Sequence, residues 1–132
     1  MNYVNTVTGP VAASELGRTL MHEHFLFGFC GFQGDATLGG FKEEEYTRDC
    51  LKAVDDARAY GINTIVDATT NECGRNVRFL KKISDMTGMN IICSTGYYFQ
   101  AESAYAYWNF RRGFANIEEE IYEMMVTELT KG

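Results

Sequence analysis

Three short apolar runs, each followed by a stretch with helical apolar spacing, alternate along most of this chain, and that order leaves few folds open. Residues 18–25, 63–69 and 89–95 read as strands. They are rich in aliphatic and β-branched side chains and turn polar near their carboxyl ends. Lys42 to Tyr60 places Tyr46, Cys50, Ala53, Val54 and Ala57 on one helical face. Glu43, Glu44 and Glu45 sit in its first turn, where the helix dipole favours them, and Gly61 fits a left-handed stop. Asn76 to Thr87 does the same with Val77, Leu80 and Ile83, and Gly88 ends it. A third helix is expected from Asn116, as cap, to about Thr130. Glu119 takes its capping-box position, and Ile117, Ile121, Met124, Met125 and Leu129 form its stripe. Strands separated by helices pair in parallel through right-handed crossovers.

The flanking segments read differently. Tyr3 to Val7, a turn at Gly9–Pro10 and Val11 to Ala13 suggest a small antiparallel preface. Phe27 to Phe41 holds five glycines and reads as an irregular loop, and residues 101–114 as an aromatic loop or short helix. The expected organisation is one domain over 132 residues: a β preface, 1–17, then three βα units, 18–132.

Charge and composition remove several function classes. The net charge is −6, and the basic pairs Lys81–Lys82 and Arg111–Arg112 are too isolated to follow a phosphate backbone, so no nucleic-acid partner is expected. No apolar run approaches the roughly 18 to 20 residues a membrane span needs. Met1 to Pro10 lacks a basic start followed by an apolar stretch, so a cytoplasmic protein without a secretory leader is expected. Cys30, Cys50, Cys73 and Cys93 form no C-x-x-C pair and are expected to be free thiols.

The polar residues at the strand ends carry the chemistry. His22 and His24 flank Glu23 and are the only histidines. In a regular strand Leu20, His22 and His24 share one face, and Met21, Glu23 and Phe25 the other. Two imidazoles about 6 to 7 Å apart along a strand can hold one divalent cation, zinc first among the candidates. Two structural histidines in a doubly wound sheet are the competing reading. Asp67, at the end of the second strand, can orient a ligand histidine from behind or cap the following loop. Glu23 needs a partner if buried, and Arg75 is the nearest candidate in the expected helix layer.

Asn5-Thr6-Val7-x-Gly9-Pro10 followed by Leu16-Gly17-x-Thr19-Leu20-Met21-His22-Glu23-His24 resembles the opening of the phosphotriesterase family of the amidohydrolase superfamily. Thr64-Ile65-Val66-Asp67-Ala68-Thr69 with Gly74-Arg75, and Asn90-Ile91-Ile92-Cys93-Ser94-Thr95-Gly96-Tyr97-Tyr98, are similar to its second and third strands. The resemblance implies the first three βα units of a (β/α)8 barrel, with the barrel incomplete in this chain. It implies a two-metal centre with His22 and His24 as ligands of the more buried ion, Tyr98 in the substrate pocket, and hydrolysis of phosphotriesters or lactones. The family's remaining ligands are a carboxylated lysine, two histidines and an aspartate on later strands. No complete catalytic set is therefore expected here, and Lys131, at a helix end, is given no bridging role. A truncated, inactive form follows as an expectation, as does either a missing carboxyl-terminal half or a homo-oligomer covering the open sheet. The alternative is a non-catalytic, self-associating α/β fragment with structural histidines.

Overall fold

The computed structural model describes residues 2–28, 30–98 and 102–131. Two strands open the chain, β1 (Tyr3–Thr6) and β2 (Gly9–Ala12). They pair antiparallel from Tyr3 against Ala12 to Thr6 against Gly9, as the turn residues require. A second sheet follows through β3 (Arg18–Glu23), α1 (Glu43–Ala59), β4 (Ile62–Asp67), α2 (Val77–Thr87) and β5 (Asn90–Cys93). Its order is β3-β4-β5 and both pairings are parallel. Two further helices close the described chain, α3 (Glu102–Arg112) and α4 (Ile117–Lys131). The α3 segment is helical where a loop was the other option; position 101 lies outside the described residues. None of these helices is long and apolar enough to cross a membrane.

The core lies between the sheet and the first two helices. Val54 and Cys50 of α1 and Phe79, Leu80 and Ile83 of α2 pack on Ile62, Ile65, Met89 and Ile91. Removing each such side chain from water contributes about 1.5–3 kcal/mol. The α2 face is wider than its expected stripe: Phe79 is buried and meets Phe41 edge-on at 5.2 Å, whereas Val77, at the helix start, is 40% exposed. Asn76 caps α2 by accepting from the Phe79 N–H at 3.1 Å. Gly88, at φ +70, turns the chain out of the helix, and the Ser84 hydroxyl donates to the Met89 carbonyl at 2.7 Å. These contacts set where β5 begins.

Helix α4 is less well covered than its pattern implies. Ile121, Met124 and Met125 are half-buried, but Leu129 is 61% exposed and no residue of α4 is fully buried. The Tyr97 hydroxyl donates to the Met124 sulfur at 3.5 Å, which docks the helix on the loop after β5. Asn116 donates its side-chain amide to the Glu119 carboxylate at 3.3 Å, a side-chain contact in place of the expected capping box.

Each strand is shorter than its apolar run: β3 ends on Glu23, β4 on Asp67 and β5 on Cys93. Glu23, Asp67 and Cys93 lie level in the parallel register. His24, Ala68 and Ser94 therefore start three loops side by side, with Thr69 one residue further along the middle one. The simple alternation along β3 fails. A register shift falls between Leu20 and Glu23. Leu20 packs against the core and, with Glu23 and Phe25, lines a cavity of about 240 Å³ beneath α1 that also reaches His24. Met21 is 72% exposed. The bulge thus moves Leu20 off the face expected to carry the histidines.

All four cysteines are free, with Cys50 and Cys73 buried. Burial, assisted by the Asp49 and Asp67 charges, pushes the Cys50 thiol up to about 11. Burial and the Asp67 carboxylate push Cys93 to about 12. Both stay protonated near neutrality, so neither is a ready nucleophile.

Candidate metal centre

His22 sits one residue before the end of β3 and His24 one residue beyond it. The bulge leaves their rings together: the centroids are 5.3 Å apart at an interplanar angle of 73°, and both side chains are exposed. A tetrahedral ion with zinc–nitrogen bonds of about 2.0–2.1 Å would place two imidazole centres roughly 5 Å apart, so this pair fits a shared cation. Among the described residues no third His, Cys, Asp or Glu joins them. A cation held there would take two imidazoles from this chain, with the rest of its coordination sphere open.

The support behind His24 is extensive. Its Nδ1 lies 2.9 Å from the Thr69 hydroxyl, and Phe27 meets its ring edge-on at 5.4 Å. Thr69 is 1% exposed and also donates its hydroxyl to the Leu26 carbonyl at 3.2 Å. Asp67, equally buried, accepts the Phe25 N–H at 3.0 Å with one oxygen and the Thr69 N–H at 2.9 Å with the other. Its carboxylate thereby ties the loop after β3 to the loop after β4. The Ser94 hydroxyl donates to the Thr69 carbonyl at 3.0 Å and brings in the loop after β5. Sequence reasoning gave Asp67 a role and placed Thr69 at the same strand end without one. The available signal was a hydroxyl two residues beyond a strand-end aspartate, the position from which its backbone bonds back to the carboxylate.

Tyr98 lies at the same edge, beyond β5, with 64% of its surface exposed. Its backbone N–H donates to Glu72, which sequence reasoning missed. Glu72 is only 6% exposed, and its second carboxylate oxygen is buried without a hydrogen-bond partner among the described residues. Its signal was weak, because it is one acid in the short turn Asn71–Cys73 between β4 and α2.

Arg75 does not pair with Glu23. It forks onto Glu128 of α4 at 2.9 and 2.5 Å and donates to the Ser94 carbonyl at 2.7 Å. Glu23 belongs to β3, on the far side of β4 from β5, and is exposed, so it needs no buried counter-ion. The Arg75 hydrogen bond, joined by one from Thr95 and opposed by partial burial, holds the Glu128 carboxyl below its usual range. This ion pair lines a separate cleft of about 510 Å³ between β1, β5 and α4 that holds neither histidine.

Comparison with known proteins gives the site a context. The family model described as "Phosphotriesterase family" matches residues 2–132. An aryldialkylphosphatase from Saccharolobus solfataricus is 28% identical over 123 residues, covering 92% of this chain and 37% of its own. A phosphotriesterase-related protein from Nematostella vectensis is 35% identical, covering 96% of this chain and 43% of its own. The crystal structure of a mutant phosphotriesterase-like lactonase from Deinococcus radiodurans, 48% identical, superposes with a TM-score of 0.88 over 97% of this chain and 40% of that one. The chain thus spans about two fifths of the length of these relatives. Its parallel sheet and helices fit the beginning of a (β/α)8 barrel, and the chain belongs to the phosphotriesterase family.

Proposed function

We propose that this chain supplies part of the metal centre of a hydrolase acting on small phosphotriesters or lactones, with His22 and His24 as its ligands. The observation that carries the reading is the 5.3 Å separation of the two imidazoles at the carboxyl end of the sheet. Relatives named for phosphotriester and lactone chemistry support this choice of substrate class. Bound there, a divalent cation, zinc first, would polarise the scissile bond and an attacking water. The residues of this chain would hold and orient that group. His22 and His24 offer nitrogens, Asp67 and Thr69 fix the loops around His24, and Tyr98 stands beside the opening as an aromatic contact for substrate. We take residues 1–17 as a preface and 18–132 as three βα units of a single partial domain. The rest of the ligand set would come from further barrel strands or another chain.

A chimera tests this directly. Residues 2–131 replace the corresponding part of the Deinococcus relative, and paraoxon and a simple lactone are assayed. Hydrolysis of at least one, abolished by His22→Ala and by His24→Ala, is expected. A folded, metal-loaded chimera inert toward both classes would remove the substrate assignment. A second reading, a non-catalytic self-associating fragment, draws on the absence of a third ligand among the described residues. It predicts no retained metal in any assembly.

A further inference from the structure

Thr69 has one hydroxyl proton and two hydrogen-bond neighbours. One neighbour, the Leu26 carbonyl, can only accept, and the hydroxyl donates to it at 3.2 Å. The other is Nδ1 of His24 at 2.9 Å. With the proton committed to Leu26, the Thr69 oxygen can engage His24 only as an acceptor. Nδ1 must then carry a hydrogen. Turning the hydroxyl toward His24 instead would leave the buried Leu26 carbonyl without this donor, which is costly in a site this enclosed. Thr69 is not free to shift. Asp67 holds its N–H, Ser94 holds its carbonyl, and its side chain is 1% exposed.

We infer that Thr69 is a positioning residue that fixes His24 as the Nδ1–H tautomer, so that Nε2 carries the lone pair offered to a divalent cation. The inference about the cation rests on the proposed function; the tautomer does not. The same contact fixes the ring's rotation, because Nδ1 must face Thr69 for the bond to form. The bond also makes Nε2 a better donor, the usual effect of hydrogen-bonding the remote nitrogen of a ligand imidazole. His22 lies outside this network among the hydrogen bonds described, so the two histidines differ. One is preset and the other can adjust its ring to the ion.

The test is long-range proton–nitrogen NMR of the two imidazoles in the metal-free protein, followed by zinc affinity measured against a competing chelator. Wild-type His24 is expected to show a protonated Nδ1 and an unprotonated Nε2. Thr69→Ser should preserve that pattern, while Thr69→Val should lose it and leave the His22 signals in place. The serine variant and the His22 signals separate loss of the hydrogen bond from loss of the fold. Zinc affinity should fall about ten- to a hundredfold in Thr69→Val and recover in Thr69→Ser. A protonated Nε2 in the wild type, or an unchanged tautomer in folded Thr69→Val, overturns the inference. If wild type shows the expected tautomer yet binds no zinc, the metal reading fails and the tautomer assignment stands.

Discussion

The carboxylate of Asp67 shows how much one buried residue can organise. It is 1% exposed and spends both oxygens on backbone N–H groups, those of Phe25 and Thr69. Charge-assisted bonds of this kind are stronger than neutral ones, and a buried donor left unpaired costs about 1–3 kcal/mol. Asp67→Ala orphans two such donors, so a loss of about 2–5 kcal/mol is expected by urea unfolding. Asp67→Asn keeps one acceptor and should fall between. A loss under about 0.5 kcal/mol for Asp67→Ala, the range of an ordinary surface substitution, would show that the carboxylate does not hold the loops. Gly40 is a second point of constraint. It sits at φ +83, and a Cβ there would collide with the Asp35 carbonyl oxygen, so Gly40→Ala must displace the loop before α1. A lowered thermal midpoint is expected for Gly40→Ala, and an unchanged one would contradict the close approach.

Among the elements, α4 depends on a contact the sequence did not reveal. Arg75 at the start of α2 and Glu128 near the end of α4 are 53 residues apart, and their side chains are 10% and 29% exposed. Glu128→Gln weakens the partner of a nearly buried guanidinium, and a loss of about 1–3 kcal/mol is expected. The folded carboxyl is held below its unfolded value, so its stabilisation is full above the unfolded carboxylate range and fades as pH falls through the folded value. The gap between wild type and Glu128→Gln should therefore be widest near neutrality and narrow below about pH 4, read by urea unfolding at several pH values. A constant gap would show that the charge on Glu128 does not contribute.

The helices α1 and α2 were legible because apolar residues recur at helical spacing and Asn76, Gly61 and Gly88 mark their ends. Local rules suffice for such elements. The pairing of Arg75 was not legible, because no periodicity says which of several acids a distant arginine will meet. The His22–His24 pair was legible as two residues, but the face of Leu20 was not, since a bulge leaves no mark in an apolar pattern. The role of Thr69 stayed hidden for a similar reason: it depends on three strand ends meeting in space.

At the scale of the whole molecule, the sheet has three strands and two outer ones. Among the described residues, β3 and β5 each lack a strand partner on one side within this sheet, and β5 receives there only the Val7 N–H, at its Ile91 carbonyl. Large apolar side chains stand exposed nearby, among them Met21, Phe27 and Leu129. Open strand edges beside apolar surface promote association. The isolated chain is expected to self-associate in light scattering, with the apparent mass rising with concentration. A monodisperse monomer across the concentration range would show that these edges are masked.

The pair of imidazoles remains the point on which the functional reading turns. Zinc titration of the metal-free protein by calorimetry addresses it most directly, with His22→Ala, His24→Ala and the double variant as controls. Saturable binding that weakens in each single variant and disappears in the double variant is expected. Equal uptake by wild type and double variant would place the ion elsewhere and leave the two histidines without a metal-binding role.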